Sequence, residues 1–180
     1  MTERRIFQGR ILDLVVLDDR WEVVRHADAV AVLARDATGR VLGVVQRRPA
    51  VAADTWELPA GLIDAGEGPV AAAARELAEE ANLAGDLTLI AQAFVSPGFT
   101  DERVHLFEAR ALRPAAGALD DGEELTVAWR DPGEAWAAAL RGELTTSMVT
   151  LLGLRHALAA DAAGADAAGA AAGGPGQGGP

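Results

Sequence analysis

The chain has 180 residues, of which 50% are apolar and 24% charged, a composition typical of one globular domain rather than a disordered or fibrous chain. Its formal net charge of −11 argues against non-specific binding to nucleic acid or to an anionic membrane, and a phosphate substrate would need a bridging cation. The sequence has no Cys and every basic residue is Arg, which excludes a disulfide framework, a thiolate nucleophile and a Schiff-base or P-loop lysine.

The predicted elements begin with sheet and continue with helices interleaved among further strands. Four β-rich runs fill the first third of the chain: RILDLVVLD, WEVVRHA, AVAVLARD and RVLGVVQRR. A helix is predicted from Pro69, which follows Gly68 at the first helical position, to about Ala81. Later strand-like runs are DLTLIAQAFVS, RVHLFEARAL and ELTVAW, and helical patterns lie around GEAWAAALR and TSMVTLLGLRHALAA. This mixed order predicts an α+β or a layered α/β/α domain.

The chain is predicted to divide into one domain and a tail. Residues 1–160 carry the strand and helix patterns, and residues 1–28 form N-terminal strands that precede the expected core. From Asp161 the sequence DAAGADAAGAAAGGPGQGGP offers almost nothing to bury, so residues 161–180 are predicted to be a disordered tail. The start MTERRIFQGR leads into no long apolar segment, and no run suits a bilayer span. We therefore expect a cytoplasmic protein without a membrane partner.

The first predicted helix carries two separate stripes at 3.6 residues per turn. The apolar stripe, predicted to pack against the domain, consists of Val70, Ala74, Leu77 and Ala81. Glu76, Glu79 and Glu80 form an acidic stripe, in which like charges three and four residues apart repel each other. Such a stripe is either a solvated acidic face or a set of hard oxygen ligands for Mg²⁺ or Mn²⁺. Arg75 beside the acids and Glu67 in the preceding loop favour the ligand interpretation.

The spacing of these residues matches a known motif. Gly61, five residues, Glu67, seven residues and then RELAEEANL resembles the Nudix box, G-x5-E-x7-R-E-U-x-E-E-x-G-U, where U is a bulky aliphatic residue. Asn82 is the one departure, because the family has Gly there. Asn tolerates the left-handed conformation better than other non-Gly residues, so we predict that Asn82 still caps the helix. The resemblance implies a Nudix-type α/β/α sandwich with a mixed β-sheet, preceded here by antiparallel N-terminal strands.

The resemblance also implies a role for each residue of the motif. Two or three Mg²⁺ ions, with Mn²⁺ or another divalent ion able to substitute, would be held by Glu76, Glu79, Glu80 and the main-chain carbonyl of Ala60. Glu80 is thereby counted among the catalytic residues. Arg75 and Glu67 would form a structural pair that fixes the loop, with Gly61, against the helix. The ions would neutralise a pyrophosphate and activate the attacking water.

The flanks of the motif resemble the ADP-ribose pyrophosphatase branch of the family. The segments that show this resemblance are QRRPAVAADTWELPAG and SPGFTDERVHLFEAR. Substrate contacts are then implied for Arg47, Arg48, Glu57, Ser96, Pro97, Gly98 and Glu102. The implied reaction is Mg²⁺-dependent cleavage of ADP-ribose, or a related nucleoside diphosphate sugar, to AMP and ribose 5-phosphate by direct attack of water. The alternatives are a broader nucleoside diphosphate or nucleotide-housecleaning hydrolase and a non-catalytic ligand-sensing module.

Further expectations concern the N-terminal strands, the tryptophans and one acidic stretch. Apolar residues in RRIFQGRILDLVVLDDRWEVVRH predict a homodimer built by the N-terminal strands, and the resemblance implies that Trp21 and Arg25 of a partner help to bind adenine. Trp56 is a second aromatic candidate for stacking on adenine, and the alternative for either tryptophan is packing. The acidic stretch GALDDGEELTVAW is either a solvated turn or the loop that supplies the general base. Glu123 is the first candidate for that base, followed by Asp121 and Glu124.

Overall fold

The computed structural model describes residues 1–119 and 124–172. In these residues, secondary structure alternates between strands and three helices, with a 3-10 turn at Pro49–Val51. The strands are β1 (Glu3–Gln8), β2 (Leu12–Leu17), β3 (Trp21–His26), β4 (Ala29–Ala34), β5 (Val41–Arg48), β6 (Ala53–Glu57), β7 (Ala60–Leu62), β8 (Leu83–Phe94), β9 (Arg103–Pro114) and β10 (Leu125–Arg130). The helices are α1 (Pro69–Ala81), α2 (Pro132–Leu140) and α3 (Met148–Ala172). Strands β1, β6 and β7 are additions to the runs predicted from sequence.

The strands form three sheets, one of which is mixed. The central sheet has the order β7-β4-β9-β8, in which β4 and β9 are parallel and the other neighbours antiparallel. The second sheet, β10-β5-β6, and the N-terminal sheet, β1-β2-β3, are antiparallel. Helix α1 packs against β4, β7 and β8, whereas α3 packs against β4, β9 and α2. The predicted α+β sandwich with a mixed sheet and N-terminal antiparallel strands is confirmed.

Strand β4 explains why the domain has two cores. Every residue of β4 is buried, and successive side chains point to opposite faces of the sheet. Val30 and Val32 join Leu77 of α1 in one apolar cluster. Ala31 and Leu33 join the second cluster, which includes residues of α2 and α3. A strand with helices on both faces therefore reads as a continuous apolar run in the sequence.

Helix α1 has the predicted bounds, but its buried face differs from the predicted apolar stripe. Val70 is 57% exposed and Ala74 is also exposed, so only part of that stripe packs. The buried residues of α1 are Ala72, Ala73, Glu76, Leu77 and Glu80. Two of the three acids thus belong to the buried face, which is inconsistent with a fully solvated acidic helix face.

Asn82 ends α1 as predicted. Its φ of 53° and ψ of 37° are left-handed, and its backbone N–H donates to the Ala78 carbonyl. Its side chain has a use that a Gly would lack, because Oδ1 accepts a hydrogen bond of 3.3 Å from the Gly117 N–H. The Asn82 carbonyl also accepts from the Ala115 N–H at 2.9 Å. The residue therefore caps the helix and holds the segment that follows β9.

The predicted disordered tail is partly wrong, because α3 continues through its first twelve residues to Ala172. Asp161, four residues after the buried Ala157, accepts a hydrogen bond of 2.6 Å from Arg35 of the β4–β5 turn. Alanine is the strongest helix former, so an Ala-rich segment extends a helix whose start is already packed. Residues 173–180 lie outside the described residues.

The N-terminal sheet stands apart from these cores. Each residue of β1 is exposed, whereas Val15 of β2 is buried. Large apolar side chains remain exposed on this sheet and its turns: Ile6, Phe7, Ile11 and Trp21. None of the helices in the described part of the chain has the length and apolarity needed to cross a membrane.

Candidate active site

The acids of α1 face strand β7, which brings two carboxylates out of water. Glu76 is 8% exposed and Glu80 is 6% exposed, while the Glu79 side chain lies nearer the surface. Glu80 accepts a hydrogen bond of 3.0 Å from the Ala60 N–H at the start of β7. Buried carboxylates need hydrogen-bonding or cationic partners, because burial disfavours the ionised form. The structure provides these partners from one arginine and one strand end.

Arg75 is the cation at the centre of this cluster. Its guanidinium donates to both oxygens of Glu67, at 3.2 and 3.0 Å, and to Glu76 at 2.6 Å and Glu79 at 3.0 Å. It also donates to the Leu62 carbonyl at 2.9 Å. The hydrogen bonds that Arg75 donates to Glu67, and then to Glu76 and Glu79, raise the pKa of Arg75 above its ordinary value. The same contact lowers the pKa of Glu67. The predicted Arg75–Glu67 pair is therefore present.

Gly61 lies in β7, and the Glu76 carboxylate occupies the space that a side chain at this position would fill. A Cβ at Gly61 would lie 2.0 Å from Oε1 of Glu76. No real Cβ approaches an oxygen so closely, so any larger residue must displace that carboxylate. The cluster is thus assembled by helix α1, by the Glu67 loop and by β7, at the positions that the motif predicted.

The donor chemistry of this cluster fits a hard divalent cation. Glu76, Glu79 and Glu80 supply carboxylate oxygens on one rigid helix, and Mg²⁺ and Mn²⁺ prefer such oxygens. In the described part of the chain, no three His, Asp or Glu side chains already converge as a metal-binding group. Instead Arg75 holds Glu76 and Glu79, and Ala60 holds Glu80. A cation at this cluster would therefore take over carboxylate oxygens that Arg75 neutralises here.

Gly61→Ala tests whether the position of Glu76 matters for activity. We expect this variant to lower kcat about 30-fold to 100-fold, because a displacement of about 1 Å in a reacting group typically has effects of that size. The fold should survive, since the obstructing atoms are the end of one side chain. Gly68→Ala is the matched control, because a Cβ there meets nothing within 4 Å. Steady-state rates and thermal melts of both variants check this, and equal losses in the two would contradict it.

A second charged pair lies at the ends of β5 and β6. Arg48 donates to Glu57 at 2.8 Å, and Glu57 is 9% exposed. Glu57 precedes Ala60 by three residues, so this pair leads directly into β7. Arg47 is exposed and lies 3.4 Å from Asp54. Of the two predicted arginines, Arg48 is the one bound to another predicted site residue.

The predicted substrate wall is the loop between β8 and β9. Ser96 begins a turn in which its carbonyl accepts from the N–H groups of Phe99 and Thr100, at 3.1 and 3.0 Å. Pro97 and Gly98 are exposed at its tip. Beside this loop and the N-terminal sheet lies an open cavity of about 360 Å³, partly lined by Phe99.

Glu102 ends this loop and faces two neighbours that sequence reasoning left out. Nδ1 of His26 lies 3.6 Å from Glu102 Oε2. Burial raises the pKa of Glu102; His26 opposes this rise and Asp28 adds to it. His26 and Glu102 are 76 residues apart in the sequence, and no local pattern links them. Only the pairing of strands brings them together.

The raised pKa of Glu102 predicts a pH-dependent stability effect. Its carboxyl is harder to ionise in the folded protein than in the unfolded chain. The free energy of unfolding therefore falls as the pH rises from the pKa of the unfolded chain through the pKa of the folded protein. We expect Glu102→Gln to raise the Tm of the metal-free protein by about 2 °C at pH 7. The gain should vanish below about pH 4, where the unfolded carboxyl is protonated too. Calorimetry at several pH values tests this, and a gain independent of pH would contradict it.

The two tryptophans predicted as adenine contacts have different surroundings. Trp56 is 1% exposed in the second core, and its indole N–H donates to the Ala128 carbonyl at 2.9 Å. The interpretation of Trp56 as a stacking residue is therefore wrong, because its ring is enclosed by the core. Trp21 is 54% exposed, with the Arg20 guanidinium 4.5 Å from its ring centre. Arg25 is held by Glu3 and Asp101 of the same chain.

The acidic stretch begins beside helix α1 and is described again from Glu124, next to the start of β10. Gly117 lies against the backbone of α1, since a Cβ there would be 2.0 Å from the Ala78 carbonyl oxygen. Glu124 is exposed and directly precedes Leu125, which pairs with Gln46 near the end of β5. Two of the predicted bases, Asp121 and Glu123, lie outside the described residues.

The chain is similar in sequence to known proteins. The sequence profile of the NUDIX domain matches residues 25–149. The chain is 41% identical over 131 residues to an ADP-ribose pyrophosphatase of Mycobacterium tuberculosis, covering 71% of this chain and 63% of that protein. It is 40% identical over 134 residues to an ADP-ribose pyrophosphatase of Bacillus subtilis, covering 69% of this chain and 70% of that protein. The match thus spans somewhat less than two thirds of the mycobacterial relative.

A solved structure shares the fold. The crystal structure of an ADP compounds hydrolase superposes with a TM-score of 0.68 at 17% sequence identity. The superposition covers 89% of this chain and 94% of that one. It therefore supports the arrangement of layers described above.

Proposed function

The chain belongs to the Nudix family, and from that premise we propose that it is a hydrolase cleaving ADP-ribose to AMP and ribose 5-phosphate. The observation that carries this proposal is the burial of Glu76 and Glu80 against β7 beside Arg75. A solvated helix face would not need such a cluster. The substrate class is supported by the similarity to the two ADP-ribose pyrophosphatases, which extends over about 70% of this chain.

The residues of the cluster fit the divalent ions that Nudix hydrolases generally use. Glu76, Glu79, Glu80 and the Ala60 carbonyl would hold them, and we propose Mg²⁺, two or three ions per site, with Mn²⁺ as a substitute. When bound, such ions neutralise phosphate charge and activate water. This also explains how a chain with a net charge of −11 binds an anionic substrate.

The protein's own groups bind and orient the pyrophosphate. Arg48, at the end of β5, is the cation best placed to bind a phosphate. Its guanidinium is oriented by a hydrogen bond of 2.8 Å from Nη2 to Glu57 Oε2. The loop carrying Ser96, Pro97 and Gly98 forms a wall, and Glu102 lies at its end. One P–O bond of the pyrophosphate bridge breaks as the water oxygen bonds to that phosphorus, and the bridging oxygen leaves with the other phosphate. We propose that the water proton passes to Asp121, Glu123 or Glu124 of the acidic stretch GALDDGEELTVAW.

A substrate panel tests the proposal. The purified chain is assayed with Mg²⁺ against ADP-ribose, NADH, ADP-glucose, diadenosine polyphosphates and oxidised dGTP. We expect the highest kcat/KM for ADP-ribose, with AMP and ribose 5-phosphate as products in equal amounts. A preference for oxidised dGTP or diadenosine polyphosphates would replace the proposal by a nucleotide-housecleaning activity. The absence of turnover with every compound, while ADP-ribose still binds, would favour a ligand-sensing module.

We propose further that the chain is a homodimer joined through its N-terminal sheet. The supporting observation is a set of large apolar side chains that are about half exposed on this sheet and on the neighbouring loop: Ile6, Phe7, Ile11, Trp21, Phe94 and Phe99. Isologous contact would bury such a surface on both copies. Light scattering at micromolar concentration tests this, and a monomeric mass with full activity would contradict it.

A further inference from the structure

Strand β3 holds the loop between β8 and β9, here called the 96–102 loop, by its backbone. The Val24 N–H donates to the Phe99 carbonyl at 2.7 Å, and the Asp101 N–H donates to the Val24 carbonyl at 3.4 Å. Val24 and Thr100 form an isolated parallel bridge. The loop proposed as the substrate wall therefore rests on the N-terminal sheet and not on the central sheet alone.

Side-chain hydrogen bonds at Asp101 strengthen this contact between β3 and the 96–102 loop. Arg25 Nη1 donates to Asp101 Oδ2 at 2.8 Å, and the backbone N–H of His26 donates to Asp101 Oδ1 at 3.1 Å. The second terminal nitrogen of Arg25 donates to Glu3 at 2.7 Å. Both oxygens of Asp101 and both terminal nitrogens of Arg25 are thus engaged within one chain.

Arg25 and Asp101 stabilise each other's charged forms. Burial disfavours the charge of Asp101, but Arg25 and the His26 N–H outweigh it and lower the pKa of Asp101. Glu3 and Asp101 raise the pKa of Arg25. The Arg25 and Asp101 side chains are nevertheless 39% and 40% exposed. An ion pair so exposed contributes little to global stability, so its main effect is local.

We propose that Arg25 is a positioning residue, which fixes the 96–102 loop through Asp101 instead of contacting the substrate itself. This inference rests on the proposed function, since the loop matters only if it forms the substrate wall. It differs from a role in which Arg25 binds adenine directly. A guanidinium with both terminal nitrogens held by Glu3 and Asp101 is directed at those carboxylates.

A double-mutant cycle distinguishes positioning from direct contact. Arg25→Ala and Asp101→Ala should each raise the KM for ADP-ribose about tenfold, with kcat changed less than threefold. The double variant should be no worse than about tenfold, because both changes release the same loop. Arg25→Lys should recover part of the loss. The proposal would be overturned if the KM of the double variant rose about a hundredfold, the product of the two single effects. It would also be overturned if the KM of the single variants were unchanged.

Hydrogen exchange supplies a readout that needs no activity. In the free protein, Arg25→Ala should speed exchange of the amides in residues 96–102 at least threefold, since the Asp101 carboxylate loses the Arg25 contact that helps to hold the loop against β3. Arg4→Ala is the matched control, because Arg4 pairs with Asp19 on the same sheet away from the loop. Unchanged exchange in Arg25→Ala would overturn the proposal. If the wild type fails to cleave ADP-ribose, the proposed function fails while this measurement still decides the role of Arg25.

Discussion

Glu76→Gln and Glu80→Gln are each expected to lower kcat for ADP-ribose by about 10²–10⁴, because a divalent-metal site supplies several kcal/mol of transition-state stabilisation. The amide keeps the size of the side chain but removes a charged ligand. In Glu80→Gln the amide oxygen still accepts from the Ala60 N–H, so the fold should persist. The Mg²⁺ concentration that gives half-maximal rate should rise in both variants.

Two measurements separate loss of the site from loss of the fold. The Tm of the metal-free variants should change by no more than about 3 °C, since amides avoid the repulsion between the acids. Glu134→Gln, at an exposed position in the first turn of α2, is the control and should keep kcat within twofold. Full activity in both Glu76→Gln and Glu80→Gln would refute the assignment of α1 as the metal-binding element.

Neutralising the general base is expected to have an effect of similar size. One of the variants Asp121→Asn, Glu123→Gln and Glu124→Gln should lower kcat by about 10²–10⁴ at saturating ADP-ribose and Mg²⁺. The midpoint for Mg²⁺ should stay nearly unchanged, because the base is not a ligand in this proposal. This pattern would distinguish the base from Glu76 and Glu80, whose loss shifts that midpoint.

The described ends of the acidic stretch support this expectation. At one end Gly117 touches the backbone of α1 at Ala78, one residue before Glu79, and Asn82 holds it by a hydrogen bond. At the other end Glu124 precedes the pairing of β10 with β5 beside Arg47. The stretch therefore begins beside the helix that carries the proposed metal ligands. If none of the three amides lowers kcat tenfold, Glu102 or Glu76 becomes the better candidate for the base.

The parts of the site that sequence predicted are those set by local spacing. The bounds of α1, its proline start and its left-handed Asn82 depend on neighbours within a few residues. The contact between Arg75 and Glu67 spans eight residues, and the motif fixes that distance. For these features, helical period and capping chemistry were sufficient.

The features that sequence reasoning missed depend on distant strands. His26 meets Glu102 only because β3 and the 96–102 loop associate, and Trp56 is enclosed by a core whose members come from five other elements. The helical extension of α3 begins at Asp161, whose hydrogen-bond partner Arg35 lies 126 residues earlier. The buried acids misled the packing prediction for α1, because a carboxylate with partners occupies a core-facing position that polarity alone assigns to solvent.

The contrast between the tryptophans gives the protein a built-in optical reporter. The chain has four Trp and no Tyr, so near-ultraviolet excitation produces emission from indoles alone. Trp21 is 54% exposed on the N-terminal sheet, Trp56 is enclosed, and Trp129 and Trp136 are half-buried. Collisional quenchers therefore act first on Trp21. Stern–Volmer measurements over a range of protein concentrations follow the coverage of this one sheet by a second copy, without a label and without an assay for catalysis.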